Sequence, residues 1–211
     1  ILYLLSDAFA EIIVVFGGIV FGLPLPLTAI QILWINLVSD GFPNLSLTID
    51  PKRANIMKEK PRRPGERLVN KWMVALIGFV SLAAGLAALG SFVIVYKTTK
   101  DIALARSVAF LTLGLNSLVY VFSVRALMVP FWKNHLFENK WLIAAVLAGF
   151  GLQIVPFTTP LIRKFFGTTE LDLVYWLIAI GLSIAMFFVV EVFKFFYYIR
   201  HWDNKSFHNS N

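Results

Sequence analysis

The sequence predicts an all-α, polytopic membrane protein: a bundle of six transmembrane helices, the second of them partly unwound. Three observations predict it. Hydrophobic residues make up 58% of the 211 and charged residues only 15%, too apolar for one soluble domain of this size to cover with polar surface. Six apolar runs, at about 1–22, 28–48, 72–96, 104–124, 141–158 and 173–194, approach the ~20 helical residues that a bilayer core of ~30 Å requires. The basic residues alternate between the connections, 14 on one side and 5 on the other. By the positive-inside rule both termini and the loop 49–71 are then cytosolic. The formal charge of +7 reads as loop anchoring to anionic headgroups, since a soluble nucleic-acid binder would not carry such apolar runs.

The first run begins at Ile1 with neither an initiator Met nor a charged leader, which reads as a chain that continues upstream and not as a signal peptide. It carries Asp7 and Glu11, four apart and on one helical face. The short connection 23–27, with Pro24 and Pro26, makes the first two runs antiparallel neighbours. The second run carries Asn36 and Asp40, again four apart, with Ser39 alongside. Gly41 and Pro43 follow at once; a proline has no N–H and disturbs the turn before it, so this helix is expected to unwind there.

The loop 49–71 holds eight basic residues together with Pro51, Pro61 and Pro64, and is expected to be a surface loop, binding lipid or docking a cytosolic domain. The last four runs are more uniform. Trp72, Trp132, Trp141, Trp176 and Trp202, with Tyr96, Tyr175, Tyr197 and Tyr198, fall near their ends, where amphipathic rings favour the headgroup region. Asn116, Gln31 and Gln153 read as interhelical hydrogen-bonding residues. Glu191 and Lys194, three apart at a span end, read as a snorkelling ion pair. His135, His201 and His208 lie in loops or the tail, and there is no cysteine, so thiolate chemistry is excluded.

Ionisable groups inside a bilayer cost several kcal/mol each (~2.5–3.5 even on lenient scales) and mark functional sites. Counting inward, Glu11 lies about eleven residues from one face, and Asn36 and Asp40 about eight and twelve from the other, so all three fall near mid-membrane. Asp7 is nearer the cytosolic edge, where it could meet water or lie on a proton or ion path. Two carboxylates, an amide oxygen and a hydroxyl supply about six oxygens, which suits a hard cation such as Ca²⁺. The absence of His and thiol from the spans argues against Zn²⁺ or Cu⁺.

The run LTAIQILWINLVSDGFPNLSLTIDP, residues 27–51, resembles the sixth transmembrane helix of Ca²⁺-type P-type ATPases, where a W-x-N-L-x-[ST]-D-x-x-P pattern carries ion ligands. YLLSDAFAEII, residues 3–13, is similar to the fifth helix. ANIMKEKPRRPGERLVN, residues 54–70, resembles the cytosolic loop after the sixth, and GLNSLVYVFSVRA, residues 114–126, the eighth. The resemblance covers essentially the whole chain as the fifth to tenth helices. It implies Asn36, Ser39, Asp40 and Glu11 as cation ligands, with Glu11 also able to carry a counter-transported proton. Two positions depart from the pattern: Ala8 stands where an asparagine ligand is expected, and Phe110 where the eighth helix would supply an acid. Both belong to one of the family's two Ca²⁺ sites, which implies one ion per cycle, with Asn36 and Asp40 at the surviving site.

The resemblance further implies an ATP-driven pump exporting Ca²⁺ from the cytosol, with Mn²⁺, Na⁺, K⁺ or H⁺ as other cargoes of the fold, across the plasma membrane of a prokaryote. Its partners would be upstream phosphorylation, nucleotide-binding and actuator domains with the first four helices, where Mg²⁺ and ATP bind, and membrane lipid; no nucleic acid is expected. No D-K-T-G phosphorylation motif occurs in these residues, so the segment alone is not expected to be catalytic. A passive channel or exchanger, or an inactive membrane scaffold, are the competing readings.

Overall fold

A computed structural model describes residues 1–50, 69, 71–125 and 139–206, with side chains to residue 196. The expectations for the loop 51–68, for Trp132 and His135, and for the side chains of Tyr197, Tyr198, His201, Trp202 and His208 lie outside the described residues.

Helix α1, Leu2–Val20, is the first span. The second is continuous helix in three pieces: α2, Ala29–Trp34; a π-helical segment, Ile35–Gly41; and α3, Phe42–Thr48. It is followed by α4, Lys71–Thr99, and α5, Ile102–Arg125. Then come α6, Lys140–Ile154, a 3₁₀ turn at Val155–Phe157, the short α7, Pro160–Phe166, and α8, Leu173–Ser206. Among the described residues five single helices are long and apolar enough to cross a membrane. The composite second helix spans by adding three pieces, each too short alone.

Small residues set how closely the helices approach, as expected where lipid removes the hydrophobic drive between them. α1 lies along α4. A Cβ on Gly85 would come 2.7 Å from the Ile13 side chain and 3.2 Å from the Ala10 carbonyl oxygen, and one on Gly17 would come 2.5 Å from Leu89. The central helix is α5, which is buried along most of its length and packs on α4 and α8. α7, absent from the sequence reading, starts at a Thr159 cap with Pro160 in its first turn and ends at Gly167, whose φ of 65° is the left-handed conformation that glycine adopts freely.

Trp72, in the first turn of α4, is buried with its ring stacked 5.3 Å from Phe193 of α8. One expectation fails for a packing reason. Glu191 and Lys194 do not snorkel: they are only 2% and 3% exposed. The Lys194 ammonium donates to Glu191 at 2.7 Å and to the Ser123 carbonyl of α5 at 2.9 Å, and the Ser123 hydroxyl donates to Glu191 at 2.6 Å. Spacing along α8 gives the pair but not the neighbouring helix that covers it.

Candidate ion-binding site

The geometry of the second span decides what its polar residues can do. In a π-helical segment each N–H reaches back five residues, which widens the turn, a feature frequent at functional sites. Gly41 lies at that spacing from Asn36, and a Cβ on it would stand 3.3 Å from the Asn36 carbonyl oxygen. The backbone does not unwind at Gly41 and Pro43 as expected; Gly41 and Phe42 keep right-handed helical angles. What Pro43 removes is a donor. The α-helical partner of the Ser39 carbonyl would be the N–H of residue 43, which proline lacks. The phenol of Tyr3, from α1, donates to that carbonyl, at 2.8 Å.

Glu11 is halfway along α1 and 7% exposed. The Asn36 amide donates to both of its carboxylate oxygens, at 2.9 and 3.0 Å, and to the Ile32 carbonyl at 2.9 Å. With its Nδ2 so used, Asn36 keeps its own oxygen for another partner. On the other side of the segment, Asp40 is 1% exposed and accepts at Oδ1 from the Ser117 hydroxyl of α5, while its Oδ2 has no partner among the described residues. Asp7 is 4% exposed and does not reach water within this bundle; its Oδ2 lies 3.3 Å from the same Ser117 hydroxyl. The Tyr3 phenol stands 2.6 Å from Ser117 as well.

Two carboxylates from two helices therefore converge on one hydroxyl that has one proton to give. Like charges so placed, away from water, repel strongly, and the arrangement is suited to taking up a positive charge. The bundle brings Glu11 to Asn36, and Asp7 to Asp40 through Ser117. Ser39 is fully buried, its hydroxyl 3.4 Å from Gln153 Oε1 on α6. Reading the sequence missed Ser117 and Tyr3, and the only trace of the first is an Asn116–Ser117 pair in an otherwise apolar stretch. Asn116 is not the interhelical hydrogen-bonding residue expected: it is buried with both side-chain polar atoms unpartnered among the described residues.

Residues 24–196 match the family described as cation transporting ATPase, C-terminus. The chain belongs to this family. It is 38% identical over 185 residues to a calcium-transporting ATPase of Bacillus subtilis, covering 86% of this chain and 20% of that protein. It is 35% identical over 210 residues to calcium-transporting ATPase 1 of Bacillus cereus, covering 92% and 24%. A more distant relative is an endoplasmic reticulum-type calcium-transporting ATPase of Arabidopsis thaliana, 25% identical over 253 residues, covering 92% and 23%. The chain thus spans about a fifth to a quarter of the length of these relatives. As a cation-transporting ATPase C-terminal region, it is an all-α membrane assembly.

Proposed function

We propose that this segment is the ion-binding membrane part of an ATP-driven pump that moves Ca²⁺ out of the cytosol, one ion per cycle. The observation that carries the reading is the convergence of buried acids and an amide from α1 and the π-helical segment, with Glu11 bonded to Asn36 and Asp40 turned to Ser117. Glu11, Asn36, Ser39 and Asp40 supply the oxygens of the site, a set suited to a hard cation. Asp7 lies on the ion or proton path through its shared contact with Ser117. The names of the bacterial relatives favour Ca²⁺ among the hard cations.

ATP and Mg²⁺ act in phosphorylation, nucleotide-binding and actuator domains, and four further helices complete the membrane part. Both ends of this segment and the loop 49–71 face the cytosol, in the plasma membrane of a prokaryote. The test is phosphoenzyme formation from labelled ATP by the full-length pump as Ca²⁺ is varied, comparing wild type with Asp40→Asn. Phosphorylation should require Ca²⁺, and Asp40→Asn should raise the half-saturating concentration at least tenfold, the effect of losing ~1.4 kcal/mol. Phosphorylation indifferent to Ca²⁺, or an unshifted Asp40→Asn, would refute the reading.

A further inference from the structure

Ser39 is reached from a helix to which the sequence reading gave no part in the site. Gln153, near the end of α6, is fully buried, and its Oε1 is the acceptor facing the Ser39 hydroxyl at 3.4 Å. It gets there across Gly114 of α5. A Cβ at Gly114 would fall 2.5 Å from Gln153 Nε2 and 3.0 Å from Oε1, so the amide occupies the space that any other residue at 114 would fill. Its Nε2 has no partner among the described residues. A buried unpaired N–H is costly and calls for an explanation.

The chemistry of the hydroxyl supplies one. Ser39 has one proton and two lone pairs. If an amide N–H faced its oxygen, that N–H would occupy a lone pair and set a positive dipole against any cation bound there. The orientation in the structure does the reverse: the amide oxygen accepts a hydrogen bond from the Ser39 hydroxyl and leaves both of that hydroxyl's lone pairs for the ion, at the expense of the N–H on the other side. Partners outside the ligand shell that orient ligands in this way commonly govern affinity.

We infer that Gln153 is a positioning residue of the ion site, holding the Ser39 hydroxyl as an acceptor toward the cation through the gap at Gly114. The inference rests on the reading of Ser39 as a cation ligand. It adds α6 to the helices that shape the site.

The experiment measures both the half-saturating Ca²⁺ concentration and the maximal level of phosphoenzyme in the full-length pump. Gln153→Met keeps length and apolar bulk but removes the acceptor, and should raise half-saturation by about tenfold, as loss of an outer-shell partner does, with the maximal level retained. Ser39→Ala should do the same, and the double variant should be no worse than Ser39→Ala alone. Gly114→Ala, which displaces the amide without touching its chemistry, should shift half-saturation in the same direction. The inference is overturned if Gln153→Met leaves half-saturation unchanged, lowers only the maximal level, or multiplies the Ser39→Ala effect. In each of those cases a shift with Asp40→Asn keeps the pump reading standing, whereas loss of that shift removes both.

Discussion

At the scale of single residues, Ser117 is the group on which the most depends. Its hydroxyl faces Asp40, Asp7 and the Tyr3 phenol, and a hydrogen bond to a charged group contributes ~1.5–3 kcal/mol. Ser117→Ala removes one oxygen and no volume that packing would miss, and should raise the half-saturating Ca²⁺ concentration of the pump by about tenfold or more, ~1.4 kcal/mol being tenfold. An unchanged Ca²⁺ curve would show that the hydroxyl is only interhelical packing. Glu11, Asn36 and Asp40 were legible in the sequence because a carboxylate or amide in an apolar run has few structural uses. Ser117 and Tyr3 were not. A lone hydroxyl satisfies itself inside a helix in most membrane spans, and nothing in spacing along α5 or α1 tells which helix it will face.

At the scale of the element, the second span relies on a donor from another helix. Pro43 has no N–H to give the Ser39 carbonyl, and the Tyr3 phenol donates to it. Tyr3→Phe should then leave a buried carbonyl short of its main partner, at a cost of ~1–3 kcal/mol, read as a lower thermal unfolding midpoint of the purified pump. Pro43→Ala supplies the missing N–H and should recover that midpoint in the Tyr3→Phe background. It should also lower Ca²⁺ affinity, because the segment can then close into ordinary α-helix. If Pro43→Ala gives no recovery, the phenol is not the substitute donor. The local break was legible from Gly41 and Pro43, whereas its form was not. Proline chemistry predicts a lost hydrogen bond, but whether the backbone unwinds or widens by a residue is decided by what α1 and α5 offer from outside.

At the scale of the whole molecule, the site is held by helices that carry none of its acids. The all-α membrane class and its long apolar helices were legible because bilayer thickness imposes length on apolar runs. The depth of α8's contact was not, since an outward and an inward ion pair have the same spacing. Glu191 and Lys194 tie α8 to Ser123, less than two turns along α5 from the Ser117 hydroxyl that faces Asp40. Lys194→Met should therefore remove the ammonium that faces the buried Glu191 carboxylate, and breaking a buried pair costs ~3–5 kcal/mol, lowering the unfolding midpoint in detergent well below wild type. The double variant Glu191→Met with Lys194→Met removes the charges together, and replacing a buried pair by apolar residues of similar size is often neutral or better. It should unfold near the wild-type temperature. The two variants should also differ in function. Breaking the pair loosens the seat of α8 on α5, and with it Ser117 beside Asp40, so Lys194→Met should weaken Ca²⁺-dependent phosphorylation while the double variant, with both charges gone, keeps it. Equal stability of wild type and Lys194→Met would mean that apolar packing alone seats α8 on α5, and that the buried pair does not fix the helix on which Ser117 stands.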